Sequence, residues 1–503
     1  MRWMESMIAA LSPETAARRE HARLKVRALR EVRNAYDGAS VGRRTSGWRR
    51  VSTDANAETA GGALGRLRDS SREMVRNNPH AARARAVMPQ NIVGEGIIPS
   101  FVGAGEEAHP EAEAVAREFL DTEAIDAGGQ MDLYGIQSLA IGTVFESGEV
   151  LLRRRRRLSS DGLPLAFQVQ VLEPDFLDST KDGPVGNGNV AVQGVEFNAI
   201  GRRVAYWMFD EHPGSRGSYR ITQSRRVPAE DVIHAYRIDR PGQVRGVPWL
   251  APVMLAVADY ADLADAYRMR QKIAACFAAF ETDYQGGGTE SPLVSGGASD
   301  GGLGVEEFMP GMIAKLPPGR DIKFATPPGV DGFAEVSSIS LREVAVGIGM
   351  PPFVLTGDYG AINFSAGRLG WLDYMRAIAD YQQRIAIRMI CRRIEAWFRE
   401  GLKIERGIVA PFRGVWTPPA REMINPREEI GAVVDQVRAG RMTPQQMVRQ
   451  AGRDPEQHFA EFRRGLEMLD KFKLILDTDA RRVSRAGLTQ VHTDNTQFPD
   501  IKE

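Results

Sequence analysis

Serine, histidine and carboxylate side chains framed by glycine are the first places to look for catalysis. Gly-x-Ser-x-Gly occurs twice, at Gly38-Ala39-Ser40-Val41-Gly42 and at Gly297-Ala298-Ser299-Asp300-Gly301. Such a serine becomes a nucleophile when a strand leads into the turn and a helix leaves it. Ser40 instead lies in an Arg-rich stretch and Ser299 in a glycine-rich one, so both motifs read as flexible turns; a serine hydrolase is the enzyme-class alternative. Asp231 and His234 are the available partners for such a serine, but their spacing says nothing about reach. The seven histidines are scattered, with no His-Glu-x-x-His pair to hold zinc. No Gly-x-x-x-x-Gly-Lys-Ser/Thr loop is present, which excludes ATP hydrolysis by that route. Two cysteines, Cys276 and Cys391, cannot build a disulfide framework, and a reducing compartment is the default. No catalytic residue, metal or cofactor is expected.

The charged residues are the other source of chemistry. Sixty-five Lys and Arg balance 65 Asp and Glu, so the chain does not hold nucleic acid by bulk basicity. The balance is uneven along the chain. Residues 1–50 carry twelve Lys/Arg against five Asp/Glu, and begin with a helix start at Ser12-Pro13-Glu14. The Gly/Arg-rich remainder, Asp37–Arg50, reads as an arm that is either solvated or in contact with nucleic acid or another subunit. Residues 282–332 carry three Lys/Arg against seven Asp/Glu. Arg153–Arg157 fall in a strand-like segment, where alternate residues face opposite ways, so a solvated or ion-paired face is expected, with DNA or partner contact behind it.

These groups sit on a chain of 503 residues, 43% hydrophobic and 26% charged, an ordinary globular composition with room for several compact units. The longest apolar run, Trp249–Ala258, is broken by Pro252 and falls short of the roughly 18 residues that span a bilayer. Met1–Leu11 lacks a secretory core, and the reading is a soluble chain with no membrane partner. Asn77-Asn78-Pro79 divides residues 60–93 into two helices, and further helices are expected over Pro110–Glu123 and Asp132–Phe145. Glu149–Arg157, Ala166–Leu172, Gly194–Phe197, Arg203–Phe209 and Val232–Arg237 alternate like strands. Leu250–Phe280 reads as one long helix. Eight glycines within residues 282–304 mark a flexible loop. It leads to a β-like pair, Met312–Leu316 and Asp321–Ala325, around Pro317-Pro318-Gly319-Arg320. A helix over Ser337–Gly349 follows, then a loop, Thr356–Gly367. A second long helix, Arg368–Glu400, carries a stripe through Leu372, Met375, Ile378, Ile385, Ile390 and Trp397. Asn425-Pro426, Thr443-Pro444 and Asp454-Pro455 each pair a cap with a proline and announce a small helical subdomain over 425–474. The tail after Arg481 is polar. The fold class is α+β, mainly helical.

Several segments, in order, resemble the lambda-type portal proteins of tailed bacteriophages. They are Arg76-Asn77-Asn78-Pro79-His80, Asn91-Ile92-Val93-Gly94-Glu95-Gly96-Ile97, Val227-Pro228-Ala229-Glu230-Asp231-Val232-Ile233-His234, and Leu355-Thr356-Gly357-Asp358-Tyr359 with Asn363-Phe364-Ser365. The resemblance runs from about residue 30 to residue 460; Phe364 stands where the family usually has Tyr, and Ala366-Gly367 follows the serine. It implies a portal-protein fold of wing, stem, clip and crown, assembled as a ring, twelve-fold in virions, around a central channel at one capsid vertex. The implied division is a basic arm over 1–50, a wing over 51–249 (β-rich over 149–240), a stem helix over 250–281 and a clip over 282–332. A second stem helix over 333–350 and a channel loop over 351–367 come next. The long wing helix and return strands over 368–424, the crown over 425–480 and a tail over 481–503 complete it.

The implied role is a non-enzymatic conduit for packaging and ejecting double-stranded DNA without reading its sequence. Its partners would be the terminase large subunit, the major capsid protein, a head–tail adaptor and further copies of itself. It would be assembled in the host cytoplasm and carried in the virion; another structural ring of the virion neck is the alternative. The channel-loop candidates are Gly357, Asp358, Tyr359, Asn363, Phe364, Ser365 and Arg368; the clip candidates for partner docking are Lys315, Arg320 and Lys323. Duplex DNA carries about one charge per 1.7 Å, and symmetry multiplies every lining charge by the subunit number. A near-neutral bore with a few basic rings is therefore expected, with subunit–subunit ion pairs as the other use for those bases.

Overall fold

The computed structural model describes residues 52–103, 108–215, 223–275, 279–283, 320–324, 332–360, 362–420 and 425–474, with isolated positions 21, 22, 47, 476, 479 and 481. The chain divides into two compact units, Met1–Asp54 and Ala55–Glu503, and the elements below belong to the second. The N-terminal helix and arm, Ser40, Ser299, Lys315 and Met312–Leu316 lie outside the described residues.

The unit opens with helices α1 (Ala55–Thr59), α2 (Ala63–Asn77) and α3 (Pro79–Ile92). Local chemistry divides the last two as expected. The Asn78 side chain accepts the N–H groups of His80 and Ala81 at 3.0 and 3.2 Å, and Pro79 starts the next helix. Strand β1 (Ile98–Gly103) and helices α4 (Pro110–Phe119) and α5 (Leu133–Ser147, capped by Asp132) follow. The α4 helix stops short of the expected Glu123, which belongs to a separate 3-10 turn, Glu123–Ile125.

Eight strands come next: β2 (Glu149–Arg156), β3 (Phe167–Leu172), β4 (Gly183–Gly186), β5 (Asn189–Val192), β6 (Val195–Phe197), β7 (Arg203–Met208), β8 (Arg225–Pro228) and β9 (Val232–Tyr236). They form an antiparallel sheet β3-β2-β9 and a five-stranded antiparallel meander β4-β5-β6-β7-β8. Period-2 alternation on β2 sends Val150 and Leu152 into the main core and Leu151 into a second core with Leu172, Val195, Tyr206 and Val232. The arginine run closes on itself. Arg154 meets Asp231 at 2.7 Å and Glu400 at 2.5 Å and lies over the Trp397 ring, while Arg155 and Arg157 donate to Gln170 and Gln168. It is an ion-paired face, the first of the two expected uses.

The expected long helix is shorter at both ends. A 3-10 turn, Ala251–Val253, precedes α6 (Met254–Ala275), and by Ala279 the chain is in strand β10 (Ala279–Asp283). Antiparallel pairing with β11 (Arg320–Phe324) claims the segment through Phe280 that composition alone allows to be helical. The expected partner of residues 321–325 was Met312–Leu316; the observed one is β10. Helix α7 (Phe333–Ile348) ends at Gly349, whose φ of 77° is the left-handed conformation glycine adopts without strain. After α8 (Pro352–Thr356), one continuous helix comprises α9 (Phe364–Tyr381), a π-helical segment (Gln382–Cys391) and α10 (Arg392–Glu405). Its stripe is buried from Met375 to Trp397, but Leu372 is exposed because the core ends one turn later. Strand β12 (Phe412–Thr417) pairs with β1. Helices α11 (Pro426–Arg438), α12 (Pro444–Gln450) and α13 (Pro455–Lys471) all start at the expected prolines. Thr443 and Asp454 cap through their side chains; Asn425 makes no such bond, and its N–H is taken by Glu429.

One ionic centre ties the β region together. Glu149, fully buried, receives the guanidinium of Arg245 at 2.6 and 2.9 Å, the Nε2 of His234 at 2.8 Å and the Gly246 N–H at 2.7 Å, with Arg68 at 3.5 Å. Gly148 must precede it without a side chain: its φ is 88°, and a Cβ would sit 2.4 Å from the Val247 carbonyl carbon. Burial alone would raise the Glu149 pKa, but Arg245 and His234 outweigh it and hold the carboxylate ionised, well below its usual range. Burial pushes His234 down to about 4 against the opposing pull of Glu149, so the ring is neutral; its Nδ1 has no hydrogen-bond partner among the described residues.

Both shifts make acid destabilising. As pH falls from the ordinary histidine value of 6.5 to about 4, the unfolded chain takes a proton on His234 that the folded chain refuses. Below the ordinary glutamate value of 4.5 the stabilisation from ionised Glu149 is lost as well. Thermal unfolding followed across that pH range should show a falling midpoint, with a shallower fall in His234→Gln. Glu149→Gln leaves Arg245 as an unpaired buried cation and should cost about 3–5 kcal/mol by chemical denaturation.

Candidate nucleic-acid interface

The loop expected over Thr356–Gly367 is shorter than its sequence suggests. Helix α8 runs through Thr356 and closes at Gly357, whose φ of 73° and N–H bond to Phe353 O make it a left-handed cap. Asp358 turns the chain by accepting the Gly360 N–H at 2.9 Å. The Asn363 side chain accepts the Ala366 N–H at 2.8 Å and starts α9. Gly357, Asp358, Tyr359 and Asn363 therefore belong to the connection, whereas Phe364, Ser365 and Arg368 lie in the first turns of the helix. Tyr359 and Phe364 are exposed, and Arg83 anchors the approach by donating to the Val354 carbonyl at 2.9 Å.

Arg368 is not an isolated cation. Its guanidinium lies 3.5 Å from the carboxylate of Glu429 on α11, so the base expected to grip DNA is half neutralised within its own chain. The two groups flank a groove between α9 and α11 lined by Trp371, Met375, Ile430 and Val433. Arg320 and Lys323 stand opposite Asp283 and Phe280 in the β10–β11 register.

Helices α6 and α7 form an antiparallel hairpin. Tyr260 and Ser337 hydroxyls meet at 2.9 Å, the Tyr267 and Phe333 rings stack at 3.9 Å, and Gly347 leaves room for Val253. The sides turned away from this contact carry large apolar side chains among their charged ones. Leu255 is 81% exposed, Ile339 62% and Val346 76%. Such surface on a lone chain marks contact with another molecule.

The hydrolase partners are committed elsewhere: Asp231 to Arg154 and Arg156, and His234 to Glu149. Sequence reasoning missed Arg245 and the Glu149 centre altogether. Its members stand far apart along the chain, and a Glu opening an apolar strand was the one local sign of it. The π-helical segment was missed too. Its buried Gln382, whose amide donates to the Ile92 carbonyl at 3.0 Å inside an apolar stripe, was the available signal.

Among solved structures, similarity is found to the neck of a native gene transfer agent particle determined with C12 symmetry, at 16% identity and TM-score 0.45, covering 75% of this chain and 90% of the other. A portal protein of the HK97 family from Corynebacterium diphtheriae aligns at 11% identity and TM-score 0.31, covering 72% and 97%. The probable portal protein of Halomonas phage phiHAP-1 is 24% identical over 442 residues, covering 84% of this chain and 81% of that protein. Residues 41–382, more than half of the chain, match the family described as phage portal protein, lambda family. The chain belongs to the lambda family of phage portal proteins.

Proposed function

We propose that copies of this chain close into a ring, twelve-fold in the virion, around a channel through which double-stranded DNA is packaged and later ejected. The observation that carries the reading is the apolar surface left on the α6–α7 hairpin and on the start of α9, where Phe364 and Leu369 are exposed. A ring covers such faces because each copy presents one side to the copy before it and another to the copy after it. In this reading the hairpin is the stem, the segment carrying β10 and β11 is the clip, residues 357–363 and the head of α9 border the bore, and α11–α13 form the crown. This division follows the one expected from sequence, with the first stem helix narrowed to Met254–Ala275, the clip begun at β10 and the connection at the bore narrowed to 357–363.

Ring position also assigns the partners. The clip, with Lys315, Arg320 and Lys323, would meet the terminase large subunit during packaging and a head–tail adaptor afterwards; the wing would meet the major capsid protein. The protein is then a structural part of the virion, and the energy for moving DNA comes from the partner ATPase. Gly357, Asp358, Tyr359, Asn363, Phe364 and Ser365 offer neutral or singly acidic contacts to the duplex, and Arg368 brings a base already shared with Glu429. A lining of this kind lets phosphates pass without holding them.

Electron microscopy of the purified chain should show rings with a central hole, and static light scattering should give a mass of many copies; a monomer at every concentration would refute the ring. Arg368→Ala uncovers the Glu429 carboxylate, so rings should still assemble while DNA retained in packaged heads falls. Retention equal to that of the unaltered ring would remove Arg368 from the channel.

A further inference from the structure

The outer faces of the stem hairpin carry a pattern that goes beyond bare hydrophobicity. On α6, Leu255, Asp259, Asp262, Ala266 and Met269 recur at steps of four and three, all exposed. That is the spacing of a helix seam that wraps along one partner helix. Two carboxylates sit in the middle of it. On α7, Val336, Ile339, Arg342 and Val346 make a second exposed stripe, with one cation among three apolar residues. Asp259, Asp262 and Arg342 have no ion pair or side-chain hydrogen bond among the described residues. A carboxylate in a closed helix seam is costly unless a cation reaches it.

The level of each residue along the hairpin follows from the contacts within it. The Val253–Gly347, Tyr260–Ser337 and Tyr267–Phe333 contacts fix the antiparallel register of α6 on α7. Counting forward on one helix and backward on the other brings Leu255 to within about a residue of the level of Val346, Asp259 likewise to Arg342, and Leu263 level with Val336. Rotation about a ring axis moves a residue around the axis but not along it. With the hairpin running along that axis, α6 of one copy therefore meets α7 of the next at the level it already shares with its own.

From this we infer that the subunit seam of the stem is formed by the outer stripe of α6 on one copy against the outer stripe of α7 on the next, with Asp259 paired to Arg342 across it. Leu255 packs on Val346 of the next copy, Leu263 on its Val336, and Asp262 flanks the same guanidinium one turn along. The apolar contacts supply adhesion, and the single ion pair fixes register, because sliding by a turn buries the carboxylate against Ile339 or Val346. A polar group inside a helix seam commonly selects one alignment at some loss of strength. The inference rests on the ring proposed above, and specifies which faces of the stem close it.

The test is a charge exchange in the full chain, with assembly read by native mass spectrometry and folding by circular dichroism. Asp259→Arg and Arg342→Asp should each raise the concentration needed for rings by about a hundredfold, since each places like charges face to face. The double exchange should bring rings back. A second variant does not depend on charge: Leu255→Cys with Val346→Cys, in a Cys276→Ser background, should give a ladder of disulfide-linked multimers on oxidation. Leu255→Cys with Val336→Cys, at mismatched levels, should give none. If the unaltered chain forms rings while the single exchanges assemble normally, or if the matched cysteines give no ladder, the seam lies elsewhere and this inference falls. If the unaltered chain forms no rings at all, the ring reading fails with it.

Discussion

Glu149 is an ionised carboxylate with no access to water, and the β region is organised by the need to keep it compensated. Its donors arrive from three separate stretches of chain: Arg68 on α2, His234 on β9, and Arg245 and Gly246 on the connection that leads to α6. Arg245 in turn donates to the Gln193 carbonyl between β5 and β6 at 2.8 Å, which brings the five-stranded sheet into the same arrangement. An incomplete set of donors leaves a charge stranded in low dielectric, so partial assembly is penalised and complete assembly rewarded. The two hydrophobic cores on either side of β2 supply most of the favourable burial, while this centre dictates how they are joined.

What the sequence made legible was local. Asn78-Pro79, Thr443-Pro444 and Asp454-Pro455 start helices because cap and first turn lie within four residues of each other, and every force involved acts at that range. Five of the eight strands from Glu149 to Tyr236 were readable because alternation survives inside a single segment; β4, β5 and β8, of four residues each, are too short to show it. The places that escaped are decided at a distance. Ala279 and Phe280 suit a helix and a strand equally well, and pairing with Arg320–Phe324, across a long excursion, makes them strand. The Glu149 centre escaped for the same reason, since nothing near Arg245 shows that a carboxylate ninety-six positions earlier will lie against it. Of the candidate site, the glycine and asparagine that bound the connection were visible as turn formers; the partner that half neutralises Arg368 was not, because Glu429 lies in another subdomain.

The distribution of cohesion suits the proposed use. The part of the chain from α2 to β9, with the long helix and the base of the hairpin, holds itself together through two cores, paired arginines and a closed ionic centre. The C-terminal helices, in contrast, bury little: no residue of α11 is buried, and Pro455 alone is buried in α13. Such elements acquire their fixed positions from neighbours.

The ten π-helical residues between α9 and α10 set the course of the long helix. In that segment the backbone is wound wider and rises less per residue than an α-helix, while Gln382 and Cys391 at its two ends are buried in the wing. The segment is clamped on both sides, by Tyr374, Met375 and Ile378 before it and Ile394, Trp397 and Phe398 after it, all buried in the main core, so its wider winding fixes how the start of α9 is aimed.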